Sequence, residues 1–299
     1  FGRYAHREMM AMRDNAARRL GREASSLAPS DYLPRSLFSH LARHSRRNPT
    51  DLFDRQGIIQ MYYAGLLHDV GKRRKGIPAK VQVPLEVLQK PGQLHFSEFS
   101  MMRRHPLAAA YALKDLPLDH PILLSGMQHH GNWDGKGSYP FWYDSKKDAL
   151  VPLKGAIIHP YAQFVALADV MDALVSMRPY PKVVEDGKRL DQFSLERTLD
   201  ELKGMKGKYS PFTRRVLARM MADSEALGQI RQVYEASNMQ PPLRMARLDE
   251  LESKTPKIRE EREVLSEQER ARIQKAERDL TLDSWRELHR DRKVAKIAS

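Results

Sequence analysis

No cysteine occurs anywhere in the 299 residues. That absence removes disulfides, thiolate zinc sites and thiol nucleophiles, and it fits a reducing compartment, so a cytoplasmic location is expected. Long apolar runs are missing too. None approaches the ~20 residues that cross a bilayer, so no membrane span is expected. No secretory signal is visible, and the chain opens on Phe1 rather than Met, which leaves room for an upstream sensor or anchor. Internal repeats are also lacking. Any metal site must therefore draw on His, Asp and Glu, donors that favour iron, manganese or zinc over copper(I) or iron–sulfur clusters.

What the chain has in excess is positive charge. Lys and Arg number 51 against 38 Asp and Glu, a formal net charge of +13. Such a balance suits an anionic partner, whether nucleotide, nucleic acid or acidic lipid. Hydrophobic residues at 41% beside charged residues at 30% describe a globular protein with charged extensions.

Hydrophobic spacing predicts helices nearly throughout. In residues 6–27, Met9, Met12, Ala16 and Leu20 recur every three or four positions. Residues 28–31 (Ala-Pro-Ser-Asp) end that helix and supply a new N-cap. A second helix is predicted from Leu37 to Arg47, stopping before Asn48-Pro49 because the residue before proline is pushed out of the helical region. Further helices are predicted from Ile58 to His68, Ser97 to Ala112, Pro121 to His130, 161 to 176, Leu195 to Lys203 and Pro211 to Met221. Residues 73–95 read as loop with one short helix at 84–89. Residues 131–160, with Gly, Pro and aromatics but no periodicity, read as a long loop, and a connection of that length is ordinarily functional. After Pro241-Pro242 the composition turns to dense charge of both signs, expected to form solvated helix without a sustained heptad. The predicted division is an N-terminal helix or linker over 1–30, a main domain over 31–240 and a charged helical extension over 241–299.

Histidines recur beside carboxylates in the middle third. His68-Asp69 closes an apolar helix in "AGLLHDVGK", His105 follows Arg103-Arg104, His129-His130 close another helix, and Asp169 interrupts the apolar "ALADVMDAL". His40 and His44 lie four apart, on one helical face. A single histidine at a helix end is ordinarily a surface or capping residue. The joint pattern is different, because acids are seldom buried on apolar helices without a partner. If these helices pack together, their polar residues meet each other or a cation. A thiolate-free set of this kind suits a pair of first-row metals bridged by a carboxylate such as Asp69. A pair of that sort acidifies a shared water and clamps an in-line displacement at phosphorus. Lys72, one helical turn beyond His68, is placed to meet a phosphate oxygen. His6, His95, His120, His159 and His289 have no such partners and read as structural or exposed.

From about His40 to Met221 the chain resembles the HD-GYP family, HD-domain phosphohydrolases that hydrolyse cyclic di-GMP. The resemblance rests on "HSRR" (44–47), "LLHDVGK" (66–72), "IPAKVQVPLEVLQKPGQLHFSEFSMMRRHP" (77–106), "HHGNWDGKGSYP" (129–140) and "ADVMDALVSMRPYPK" (168–182). It implies an all-α HD-domain helical bundle carrying two divalent metal ions, iron or manganese, with a metal-bridging hydroxide as nucleophile. The family's metal ligands fall on His44, His68, Asp69, His105, His129, His130 and Asp169. Asp69 and Lys72 carry the catalytic roles. Lys72, Arg178, Tyr139 and Lys182 fall on the substrate side, Lys72 at the phosphate and Arg178 at the guanine nucleotide. The implied partner is cyclic di-GMP or a related nucleotide, with a homodimer or a signalling protein reached through the C-terminal extension.

Three departures qualify the pattern. Members with a third metal carry Glu four residues before the first histidine; here His40 stands there, a candidate ligand, and two metals are expected. Ser138 splits Gly-Tyr-Pro into Gly137-Ser138-Tyr139-Pro140. Pro181 occupies a position where a basic residue often follows. Two alternatives stay open at this point: a cyclic-dinucleotide receptor with weakened turnover, and an HD-type hydrolase of another nucleotide or of nucleic acid.

Overall fold

Helices start here where a side-chain acceptor or a proline takes care of the first unpaired N–H groups. Asp54 Oδ1 accepts the N–H of Gly57 at 2.8 Å, Ser210 Oγ accepts that of Thr213 at 3.0 Å, and Ser194 Oγ that of Arg197 at 3.2 Å. Pro106, Pro121 and Pro211 each sit in a first turn, where a missing N–H costs nothing. The computed structural model describes residues 1–45, 48–73, 75–90, 94–175, 182–183, 189–190, 193–238 and 265–290. Its main helices are α1 (Gly2–Leu20), α2 (Arg35–His44), α3 (Arg55–Leu67), α4 (Phe96–Met102), α5 (His105–Leu113), α6 (His120–Gln128), α7 (Pro160–Val175), α8 (Leu195–Gly204), α9 (Pro211–Met221), α10 (Ser224–Asn238) and α11 (Glu267–Arg290).

The fold is an all-α bundle. Strand structure among the described residues is confined to two short antiparallel pairs, β1 (Trp142–Asp144) with β2 (Ala149–Val151), and 182–183 with 189–190. No described helix is long and apolar enough to cross a membrane.

α7 is the central post. Tyr161 and Phe164 on it pack with Phe53, Met9 of α1 and Phe212 of α9 in one core cluster. Farther along, Ala166 and Leu167 meet Leu202 of α8 and Leu217 of α9. A buried amide on the same helix, Gln163, donates from Nε2 to the carbonyl of Gly131 at 3.1 Å. Its Oε1 accepts the N–H of Ser210 at 2.8 Å. This side chain ties the turn after His129-His130 to the start of α9.

Three features depart from the expectations. The predicted helix over 97–112 is two helices, broken at Arg103-Arg104, because Pro106 cannot continue an earlier helix but can open a new one. The long 131–160 connection folds its middle into the β1–β2 hairpin. α11 is not solvated all round: Trp285 and Leu288 are 0% and 1% exposed and join the core of α5 and α6. Trp285 Nε1 donates to the carbonyl of Phe141 at 3.0 Å, so its one polar group is satisfied as it is buried.

Candidate metal centre

α3 ends at Leu67, and the chain tightens into a 3-10 turn over Val70–Lys72. That turn lies directly on the start of α5. A Cβ added to Gly71 would come within 1.9 Å of the His105 carbonyl oxygen and 2.5 Å of the Ala109 nitrogen. Only glycine allows this approach, and the approach brings Asp69 against His105. The Asp69–His105 contact measures 3.5 Å from Oδ1 to Nε2. α6 delivers His129 and His130 at its C-terminal end, and α7 delivers Asp169.

Three of these imidazoles have their tautomers fixed by backbone carbonyls, which can only accept. Nδ1 of His68 donates to Gly65 at 2.6 Å, Nδ1 of His105 to Met102 at 2.8 Å, and Nδ1 of His129 to Gly126 at 2.9 Å. Each neutral ring therefore presents Nε2 as a lone pair. Nε2 of His105 lies 3.2 Å from Nε2 of His129 and 3.1 Å from Nε2 of His130. Burial holds His105 down to about 4 and His129 down to about 3, the second helped by the neighbouring His105 and His68 rings. His130 is pushed well down for the same reason. At neutral pH, then, the Nε2 lone pairs of His105 and His129 point at one another with no proton between them, an arrangement that a bound cation would relieve. Ligand nitrogens bind divalent metals at about 2.1 Å, so nitrogens at this separation reach one ion side by side.

Asp69 supports the same conclusion. Its Oδ2 accepts from Lys72 Nζ at 2.5 Å, while Oδ1 is buried without a hydrogen-bond donor. Oδ1 faces the Nε2 atoms of His105 and, at 3.9 Å, His129. Burial alone would raise the Asp69 pKa; the Lys72 ammonium and the His105 and His68 rings outweigh it, and the group stays below its ordinary value. Asp169 Oδ1 lies 3.7 Å from His68 Nε2. Its carboxyl is held far down by His68 and His129 against the opposing effect of burial. His68 moves the other way: burial lowers it, but the Asp169 and Asp69 carboxylates win and raise it. Two overlapping groups, His105–His129–His130 and His68–Asp69–His129, each keep three donor atoms within 4.8 Å. The residues fit a divalent metal.

The structure thus gathers six of the expected ligands: His68, Asp69, His105, His129, His130 and Asp169. It does not bring His44 or His40 to them. The 3-10 turn Gly155–Ile157 lies over the end of α2, and His44 Nε2 donates to the Ala156 carbonyl at 3.0 Å. His40 Nε2 donates to Ile158 at 2.8 Å. The His44 ring instead meets His159 edge-on at 4.8 Å and His40 at 5.5 Å, and burial followed by His40 takes it down to about 3. His159 is buried and structural, its Nδ1 accepting the Tyr161 N–H at 3.1 Å.

Tyr139, expected at the substrate, lies on His130. Its ring stacks on His130 with centroids 4.4 Å apart and planes at 19°. Burial and the Asp169 carboxylate push its phenol well above its usual value. The inserted Ser138 is buried, and its Oγ accepts the N–H of Asn132 at 2.8 Å, so the extra residue is taken up inside the turn. Arg178 lies outside the described residues. Of Lys182 the backbone is described, paired with Leu190.

Two basic residues at this site are not singled out by the sequence. Lys208 belongs to a turn bound to the histidine loop by Trp133 N–H to Lys208 O and Asp134 N–H to Gly207 O, both 3.0 Å. Burial lowers its ammonium, Asp169 opposes that, and its charge helps depress His130. In sequence it is one lysine of several in "KGMKGKYS". Arg103 places its guanidinium 5.1 Å from the centroid of the Tyr139 ring.

Residues 37–174 match the HD domain family model. A cyclic di-GMP phosphodiesterase of Thermotoga maritima is 34% identical over 161 residues, 52% of this chain and 35% of that protein. The cyclic di-GMP phosphodiesterase response regulator RpfG of Xanthomonas campestris is 40% identical over 126 residues, 41% of this chain and 28% of its own length. The 3′3′-cGAMP-specific phosphodiesterase 1 of Vibrio cholerae is 33% identical over 120 residues, 40% of this chain and 23% of its own length. The chain thus spans about a quarter to a third of the length of these relatives.

Proposed function

We propose that the protein is a metal-dependent phosphodiesterase that hydrolyses cyclic di-GMP. The observation that carries this reading is the convergence of the buried His105 and His129 lone pairs, with His130 Nε2 beside them, at the unpaired Oδ1 of Asp69. His68, Asp69, His105, His129, His130 and Asp169 would hold two divalent ions, iron or manganese. When bound, such ions supply an acidified water and offset charge at phosphorus. Lys72 orients Asp69 through the 2.5 Å contact and lies at the phosphate side, where its ammonium meets a non-bridging oxygen. Lys208 adds a second positive charge beside Asp169 and His130. Arg178 is assigned to the guanine nucleotide, and Lys182 to the substrate side, from the family pattern alone. The relatives named for cyclic di-GMP support the substrate, and the +13 net charge suits an anionic one.

The test is turnover by anaerobically purified protein loaded with Fe²⁺ or Mn²⁺, followed by chromatography of the products. Cyclic di-GMP should be consumed faster than 3′3′-cGAMP, nucleoside triphosphates or single-stranded DNA. Binding of cyclic di-GMP without hydrolysis at every metal loading would make the protein a receptor instead. Preferential hydrolysis of 3′3′-cGAMP is the second reading, favoured by the relative named for that nucleotide.

A further inference from the structure

α11 carries an acid that a solvated helix would not bury. The Glu277 side chain is 14% exposed and lies 3.5 Å (Oε1) from Arg103 Nε. Its Oε2 accepts the Ser100 hydroxyl at 2.9 Å. Arg103 in turn lies over the Tyr139 ring, and Tyr139 stacks on His130, whose Nε2 faces that of His105. The same helix holds the chain on the other side of Tyr139, through Trp285 Nε1 on the Phe141 carbonyl and Arg278 5.0 Å from the Phe141 ring centroid.

We propose that Glu277 is a positioning residue of the metal centre: by holding Arg103 over Tyr139 it fixes the orientation of His130. The proposal rests on the reading of His130 as a metal ligand. Docking of α11 does not need this carboxylate, because buried Trp285 and Leu288 already supply the apolar contact. A partly buried ion pair is a weak source of stability compared with apolar packing of the same volume, so stability does not account for an acid here. What the pair supplies is place: an ion contact, without a hydrogen bond to Nε, that keeps the guanidinium beside Tyr139. The guanidinium is a planar group whose charge suits the face of an aromatic ring. Held there, it favours one plane for Tyr139, and the His130 ring stacked on it keeps close to that plane.

The experiment compares Glu277→Gln with Arg286→Ala in the full chain. Arg286 ties the same helix to Asp148 (Nε to Oδ1 3.0 Å, Nη2 to Oδ2 2.7 Å) and touches neither Arg103 nor Tyr139. The first readout is the ring-proton resonances of His130 in metal-free protein carrying labelled histidine, which sense the ring current of Tyr139. The second is kcat and KM of the Mn²⁺-loaded protein. Glu277→Gln should move the His130 resonances toward unstacked values. It should also lower kcat roughly tenfold, the usual scale for groups that orient metal ligands, with KM little changed. Arg286→Ala should do neither. Unmoved His130 resonances in Glu277→Gln, or equal movement in Arg286→Ala, would overturn the proposal. If Glu277→Gln does not fold, Ser100→Ala takes its place. It frees the other carboxylate oxygen, and it should shift His130 in the same direction; no shift would again overturn the proposal. Wild-type protein that binds metal but hydrolyses no cyclic dinucleotide would defeat the functional reading, and the His130 resonances would still decide the role of Glu277.

Discussion

Asp69 and His68 stand in one group of donor atoms, and each is held in place by a bond made elsewhere: Lys72 for the carboxylate, the Gly65 carbonyl for the imidazole. Removing either should therefore empty the site while the helices stay. Asp69→Ala and His68→Ala are expected to lose metal and activity with an unchanged far-ultraviolet circular dichroism spectrum, and elemental analysis of the purified variants is the check. His44→Ala and His105→Ala form a sharper pair. Because His44 donates to Ala156 and His105 faces His129 and His130, only the second should lose metal; equal loss in both would make His44 a candidate ligand again. Gly71 is the residue whose replacement should hurt most for its size. Gly71→Ala drives a methyl into the His105 carbonyl, and backbone that must move apart costs about 3 kcal/mol, the upper end of ordinary overpacking. Its urea midpoint should fall and its metal content with it, since the same shift parts Asp69 from His105.

At the scale of elements, the division of labour follows how each helix ends. The clustering of the ends of α3 and α6 was legible in sequence because His68-Asp69 and His129-His130 stand where apolar helices stop, and that of Asp169 because it interrupts an apolar run. The break at Arg103-Arg104 was legible in principle from Pro106, but a period of apolar residues running through it concealed the boundary. α11 was hidden for another reason. Its mixed charges dominate every window, and one tryptophan and one leucine carry the burial that docks it. Trp285→Ala should therefore destabilise the protein by about 3–5 kcal/mol, the range for a large aromatic removed from a core, read from chemical denaturation. A smaller effect belongs to the exposed Arg286–Asp148 tie. Arg286 and the Tyr143 hydroxyl hold the Asp148 carboxyl down to about 2. A depressed carboxylate stabilises the fold fully above its unfolded value of ~4 and loses that contribution as pH falls toward 2. Acid titration of Arg286→Ala should show a shallower stability loss over that window than wild type.

For the whole molecule, metal and charge set the expected behaviour in solution. An ion that binds the native site and not the unfolded chain stabilises by mass action, about 2.7 kcal/mol at a hundred times its dissociation constant. The melting temperature should rise on adding Mn²⁺ and fall back with chelator, whereas His105→Ala should show no such rise. The net charge of +13 should draw a dianionic substrate in, so KM is expected to increase with ionic strength while kcat holds, because salt screens attraction over about 10 Å at 0.1 M. The docking of α11 also sets an order in time. Its partners on α4 and α5 lie well over a hundred positions earlier, as the Ser100–Glu277 and Tyr111–Ser284 contacts record. Chains emerge from the ribosome N-terminus first. His105, His129 and His130 are therefore all synthesised well before the helix that closes over Phe141. The nascent chain spends that interval with the apolar face of α5 and α6 uncovered, and the docking of α11 decides when that face closes.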